Sequence, residues 1–330
     1  MGMTEDAGSS ATNAIASTGV YTPRYRVDAD AFVEALGGFE ARGVATKSVA
    51  AGDEDTVTMA AEAAESALSG AEVDRQDVTT LRFATTTPTV EEFDIGATLG
   101  ALLGLPSSVS ISVNSQSTGA GTRALRAAFD DDGPALVVAS DAPFAAPDDA
   151  VDHAAGAGAV AFLLTTDGAV RLREAATHTE EFPGTRFRER GSTTVDRYNA
   201  TAYERHAFSE PIAAAVGSLD DPANAVAMTA PDGSLPHRAA RGLGSDTDVY
   251  HAADRLGDLG AASALFGLVT AWNDEADEVT VVGYGDGASV DAFVLDGKIE
   301  TSFERETESI GYGAYLRKRG HLISDDGGVN

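Results

Sequence analysis

Residues 109–129 read VSISVNSQSTGAGTRALRAAF. Val109, Ile111 and Val113 recur at the strand period of two, whereas Leu125, Ala128 and Phe129 fall on one helical face, so the stretch predicts a strand, a polar elbow and a helix built from small residues. An elbow of this kind aims the side chain at its tip, near Ser117 and Thr118, at backbone N–H groups and the positive end of a helix dipole. That setting lowers a nucleophile's pKa or holds an anion. The residue at the tip is not a cysteine, because the chain has none.

The 330 residues are 43% hydrophobic and 23% charged, enough chain for one large or two medium cores. No run approaches the ~18 apolar residues of a membrane span, and the start, MGMTEDAGSS, lacks the pattern of a signal peptide, so a cytoplasmic protein is expected, with residues 1–12 disordered. Against 23 Lys and Arg stand 52 Asp and Glu, a net charge of −29. Such a field repels nucleic acid and anionic membrane, so neither is expected as a partner. Lys47, Lys298 and Lys318 are the only lysines, and the acids are spread along the chain. This balance resembles that of cytosolic proteins from extreme halophiles. Lack of cysteine excludes disulfides, thiolate metal sites and thiol catalysis, and no metal site is expected.

Taken in order, Asn13 to Thr22 reads as a first strand, RYRV (Arg24 to Val27) as a basic, aromatic loop and Asp30 to Leu36 as a short helix. Asp55 to Leu68 is an amphipathic helix with an N-cap, closed by Gly70. Leu81 to Thr86 is a strand, Phe93 to Leu103 a helix, Ala135 to Ser140 a buried strand, and Gly156 to Gly168 a glycine turn feeding another strand. The second half repeats this order. VAMTAP (Val226 to Pro231) echoes RFATTTP, VTVVGYGDG (Val279 to Gly287) echoes ALVVASDAP, and GASVDAFVL (Gly287 to Leu295) aligns with GAGAVAFLL (Gly156 to Leu164). Two duplicated half-domains, 13–168 and 169–297, followed by a tail over 298–330, imply a layered α/β fold with mixed sheets and buried helices.

The duplicated halves, the elbow STGAGTRAL, PDGSLPHRAARGLG at Pro231 to Gly244, GDLGAASALFGL at Gly257 to Leu268 and VVGYGDGASVDAFVL together resemble the thiolase superfamily, most nearly 3-hydroxy-3-methylglutaryl-CoA synthase and its ketoacyl-synthase-III-like archaeal relatives. The resemblance spans about Ala14 to Leu322 and implies a thiolase-like fold, a coenzyme A thioester as ligand and no required cofactor. In that family a cysteine in a run like ACKAGTAAL takes up the acyl group. Aligning AGT on Ala120, Gly121 and Thr122 places its position at Thr118, with Ser117 one step away. The general-base histidine precedes a PNG-like run, here Pro231, Asp232 and Gly233, and falls at Thr229. The glutamate of a TES-like run falls within Thr85 to Thr87, most simply at Thr86, and a GN pair becomes Gly257 and Asp258. All four chemical positions are changed. A threonine hydroxyl needs an adjacent base to be nucleophilic, and the aligned base is absent. The elbow and the Gly285 to Gly287 turn, which in the family supply oxyanion-hole N–H groups, remain. A frame without its reagents implies a pseudoenzyme within an acyl-CoA-processing assembly; the alternative is an acyltransferase using Ser117 or Thr118, or direct transfer.

His237 and His251 lie near the family's catalytic loops and are candidate bases, with structural roles the competing reading, as for His153. Arg186, Arg188, Arg190 and Arg197 gather positive charge where the family places the mouth of its coenzyme A tunnel, and guanidinium groups suit phosphates; a solvated loop is the competing reading. Asn199-Ala200-Thr201 matches a glycosylation sequon. The segment IGYGAYLRKRGHL (Ile310 to Leu322) resembles the one that, in archaeal relatives, leads to or contacts a small zinc-ribbon and OB-fold protein. The family is commonly dimeric, which makes VSISV the expected dimer-edge strand. The charge leads to a prediction about conditions: dilution from 1 M to 0.1 M salt lengthens the screening distance from about 3 Å to about 10 Å, so the melting temperature should fall across that range. A salt titration followed by circular dichroism reads this, and an unchanged melting temperature would refute it.

Overall fold

The computed structural model describes residues 12–147, 149–182, 186–197, 200–302 and 305–322. Asn199 and most of the expected disordered start lie outside them. The first half runs through β1 (Ala14–Tyr21), β2 (Tyr25–Asp28), α1 (Ala29–Leu36), β3 (Thr46–Val49), α2 (Thr56–Ser69), β4 (Thr80–Thr85), α3 (Ile95–Leu102), β5 (Ser110–Ser115), α4 (Ala120–Ala128), β6 (Ala135–Asp141), α5 (Ala150–Ala154) and β7 (Gly158–Thr165). The second runs through β8 (Arg171–Thr179), β9 (Arg186–Phe187), β10 (Asp196–Arg197), α6 (Ala200–Ala202), a π-helical segment (Tyr203–Ser209), α7 (Glu210–Val216), β11 (Ala225–Met228), α8 (Leu235–Ala240), β12 (Asp248–Tyr250), α9 (Ala253–Leu256), α10 (Ser263–Asn273), β13 (Glu278–Gly285) and β14 (Ser289–Asp296), ahead of β15 (Glu308–Ser309) and α11 (Tyr312–Lys318).

The duplication is explicit in the two main sheets. One has the order β1-β7-β6-β4-β5; the other, read from its far edge, is β8-β14-β13-β11-β12. In each, the first two pairings are antiparallel and the last two parallel. Strands that echo one another in sequence therefore hold equivalent places.

Helix α2 starts where the sequence marks it. The Asp55 side chain accepts from the Val57 and Thr58 N–H groups while Thr58 Oγ1 accepts from the Asp55 N–H, a capping box that satisfies otherwise unpaired donors. Its alanine-rich face and α3 cover one side of the first sheet, in a cluster with Leu81, Phe83, Leu136, Val138 and Leu163. Helices α7 and α8 cover the outer side of the second sheet around Val282, Val290 and Val294. Between the sheets lie α4 and α10, whose Leu125, Phe129, Leu265 and Trp272 join Phe162, Val281 and Phe293 in the central core. Five layers result: helix, sheet, helix, sheet, helix. The inner layer is thin. A Cβ at Gly121 of α4 would stand 2.1 Å from the Ala261 carbonyl oxygen, so only glycine allows that approach.

RYRV is not a loop but most of strand β2, paired with β3 and β15 in a separate small sheet. On β3 of this sheet lies Lys47, only 1% exposed. Its ammonium donates to the Asp152 carbonyl and the Tyr315 hydroxyl and faces the rings of Phe32 and Tyr315 at 5.0 and 4.5 Å. Tyr315 in turn donates to Asp152 Oδ1 at 2.7 Å, and Arg319 lies 3.4 Å from the same oxygen. Burial, with Arg319 adding to it against the pull of Asp152, pushes the Lys47 amine down to about 7. Between that value and the ordinary 10.5 the unfolded chain holds more protons than the native one, so stability rises with pH as the cost of burying the amine, full below about 7, is relieved. Lys47→Met should remove that slope, worth about 1.4 kcal/mol per pH unit. Denaturant unfolding at pH 7.5 and 9.5 reads the difference; equal pH dependence in both proteins would refute it.

Candidate functional site

The elbow follows an edge strand. Gln116, just after β5, adopts a left-handed backbone (φ 71°), turning the chain so that Ser117 and Thr118 precede α4. Ser117 Oγ accepts from the Gly119 N–H at 3.2 Å. It also sits against β13: a Cβ at Gly285 would meet Ser117 Oγ at 2.2 Å, so a larger residue there would have to displace the Ser117 hydroxyl. The Gly285 carbonyl accepts from the Ala288 N–H at 3.1 Å and closes the turn that contains Gly287 (φ 100°).

Thr118 and Thr229, in different halves, converge on one residue. Thr118 Oγ1 donates to the Tyr284 carbonyl at 2.6 Å, and the Tyr284 N–H donates to Thr229 Oγ1 at 3.0 Å. Both threonines are buried. A hydroxyl whose hydrogen lies on a backbone carbonyl has no base to take its proton, and a threonine that accepts an amide N–H is no base at neutral pH.

Thr86 is held elsewhere, by a carboxylate that the reading of the sequence missed. Asp141, at the end of β6, is fully buried and accepts from the Thr85, Thr86 and Thr87 hydroxyls at 3.0, 2.8 and 2.6 Å. The Thr86, Thr87 and Ala261 N–H groups donate to it as well, the last at 2.6 Å. Burial raises the Asp141 carboxyl above the usual range, and these donors pull against it. The available signal was an acid ending an apolar strand opposite a Thr-Thr-Thr run.

Asp258 is buried beside the same region. Its Oδ1 accepts from the Gly260 N–H at 2.9 Å and its Oδ2 from Arg186 at 3.3 Å. Arg186 also lies 3.6 Å from Asp286 Oδ2. Burial disfavours the Arg186 charge, but Asp286 and Asp258 outweigh it and hold the group above its ordinary value. Thr86, Thr118, Phe144, Arg186, Arg188 and Asp286 line one cavity of about 760 Å³. Arg188 donates to the Phe144 carbonyl and lies 3.9 Å over the Phe144 ring. Arg190, three-quarters exposed, is 3.3 Å from Glu91 and also lines the cavity. Arg197 lies in β10, paired with β9.

None of the three histidines lines this cavity. His237 and His251 face one another, Nε2 to Nε2 at 3.2 Å, and His251 Nδ1 accepts from the Ala253 N–H. His153 is buried, stacked on Phe39, and accepts from the Glu40 N–H. Among the described residues, no helix is long and apolar enough to cross a membrane.

Two sheets of one topology enclosing paired helices, with an elbow at their junction, make up a thiolase-like fold. The chain is similar to hydroxymethylglutaryl-CoA synthases: it is 27% identical over 321 residues to the one of Methanopyrus kandleri, covering 88% of this chain and 90% of that one. A hydroxymethylglutaryl-CoA synthase complexed with CoA superposes with a TM-score of 0.81 at 17% identity, covering 93% of this chain and 90% of that one. MvaS in complex with 3-hydroxy-3-methylglutaryl coenzyme A superposes with a TM-score of 0.79 at 19% identity, covering 93% and 91%. No family model matches the chain.

The Asp141 cluster generates a prediction. Asp141→Asn would turn an amide NH2 toward hydroxyl and backbone donors and orphan at least one of them, at about 1–3 kcal/mol per buried unpaired group. A lowered urea midpoint with unchanged slope is the expected result; an unchanged midpoint would show that the cluster is not structural.

Proposed function

We propose that this chain is a non-catalytic member of an acyl-CoA-processing assembly that keeps a coenzyme A thioester site. The observation that carries the reading is the Tyr284 bridge: the hydroxyls of Thr118 and Thr229, aligned with the nucleophile and the base of the synthases, both bond to the backbone of one strand residue. Thr86, aligned with the synthase glutamate, is bound to Asp141, and Asp258 to Arg186. Each substituted position therefore has a structural partner in place of a reacting one. The named relatives are synthases, and the two solved structures hold coenzyme A or its hydroxymethylglutaryl thioester, which supports a thioester as the ligand here. Gly285 and Gly287 belong to its acyl end, and Arg188 and Arg190, on the same cavity, to its phosphates.

In this reading the protein is a homodimer paired through β5, the edge of its sheet. A small zinc-ribbon and OB-fold protein docks on the outward side of α11 and the residues after it, where Arg317 and Leu322 are exposed, since Tyr315 and Arg319 are bound to the protein's own body.

Incubation with acetyl-CoA or acetoacetyl-CoA should give no covalent adduct and no release of coenzyme A above background, because general-base assistance of about 10²–10⁴ in rate is absent. Intact-mass spectrometry decides. A stoichiometric acyl shift mapped to Ser117 or Thr118, and lost on changing that residue to alanine, would replace this reading with a hydroxyl acyltransferase.

A further inference from the structure

Arg186 answers two carboxylates with one charge. Asp286 directly follows β13 and lines the cavity together with Thr118 and Thr86. Its Oδ2 faces Arg186, whereas its Oδ1 is buried with no hydrogen-bond partner among the described residues. A buried oxygen left this way is unfavourable unless a ligand donor reaches it or, once protonated, it donates to a ligand acceptor. The groups around Asp286 are Arg186 from β9, Asp258 from the loop ahead of α10, and Tyr203 from the π-helical segment; Tyr284 lies two residues back on β13. Burial pushes the Asp286 carboxyl up to about 6, with Arg186 pulling it down, Asp258 pushing it further up and Tyr203 lowering it by hydrogen bonding.

The cations of the cavity differ in their partners. Arg188 lies 3.9 Å over the Phe144 ring and Arg190 is 3.3 Å from Glu91, whereas Arg186, the cation facing Asp286, is already shared with Asp258. An anionic chain end arriving there would meet Asp286 and Asp258 with only Arg186 to offset all three. A neutral carbonyl would meet a carboxyl able to donate.

We propose that Asp286 is a specificity residue of this cavity, which in its acid form donates from Oδ1 to a carbonyl oxygen of a neutral acyl chain and disfavours acyl chains that end in a carboxylate. This rests on the coenzyme A thioester reading above, and it adds the class of acyl group. No bond is made or broken, and the proton stays on Asp286.

The test is calorimetric titration of the full chain with coenzyme A, acetoacetyl-CoA and malonyl-CoA at pH 5.5 and 7.5; the two thioesters are close in size and differ in a terminal methyl against a carboxylate oxygen. Acetoacetyl-CoA should bind about tenfold more tightly at pH 5.5 than at 7.5, since the acid form of a group titrating near 6 largely disappears over that interval. Malonyl-CoA should bind more weakly than acetoacetyl-CoA at both values, and coenzyme A should show no comparable pH dependence. Asp286→Asn, which keeps a donor but cannot titrate, should hold acetoacetyl-CoA affinity near its low-pH level at both values; Asp286→Ala should lose it at both. If coenzyme A binds but acetoacetyl-CoA affinity is independent of pH, or malonyl-CoA binds as well, Asp286 has no such role while the thioester reading stands. Failure of all three ligands to bind overturns the thioester reading and this proposal with it. Should neither variant fold, as judged by thermal melts, the pH series on the unaltered protein decides alone.

Discussion

The centre of the molecule depends on one carboxylate. Asp141 closes β6 and gathers the hydroxyls and N–H groups of the loop after β4, all from the first half. It also accepts from the Ala261 N–H at the entrance to α10, which belongs to the second half. The Ala261 carbonyl lies against Gly121 at the start of α4. One residue thus ties a cavity wall to the opposite half of the fold, and the other side of the same residue sets how near the elbow helix comes. A buried carboxylate with this many donors holds its neighbours in a single arrangement because every alternative leaves polar groups unpaired.

The threonines follow the same logic. Cysteine, histidine and glutamate in a catalytic site must keep a polar atom free for substrate, which works against stability. Thr118, Thr229 and Thr86 are each held: every hydroxyl oxygen takes part in a hydrogen bond with the backbone or with a buried acid. Arg186, between Asp258 and Asp286, resembles them in being paired, but its two acids outnumber it. In that corner the acids exceed the cation, and one of them, Asp286, lines the cavity.

Much of the fold could be read along the chain. The period of β5, the Asp55 cap of α2 and the echoes between halves are local signals, and the echoes foretold that β4, β6 and β7 would take the same places as β11, β13 and β14. Strand β2 could not be read in this way, because two of its four residues, Arg26 and Asp28, are charged and its register is supplied by β3 across an intervening helix and by β15, far along the chain. Strands β3, β8 and β12 were equally silent. β8 alternates in exposure along its whole length, but its exposed face carries Arg171, Arg173, Ala175, Thr177 and Thr179 while the other mixes Leu172 and Ala176 with Glu174 and His178, so it gives a weak run. The site was legible only as a set of positions. What those positions hold comes from partners 55 to 166 residues away, such as Asp141 for Thr86 and Tyr284 for Thr118, and no spacing rule reaches that far.

Lys47 and Tyr315 are separated by 268 residues, yet the amine has few neighbours able to answer its charge apart from those that Tyr315, Arg319 and Asp152 assemble around it. On the ribosome this has a direct meaning. The small sheet of β2 and β3 emerges early, but its lysine stays hydrated, and its strands stay open to water, until α11 has been made and can fold back over Phe32. The nascent chain can lay down its five layers in order, but the flank that carries Lys47 closes only with the arrival of the tail.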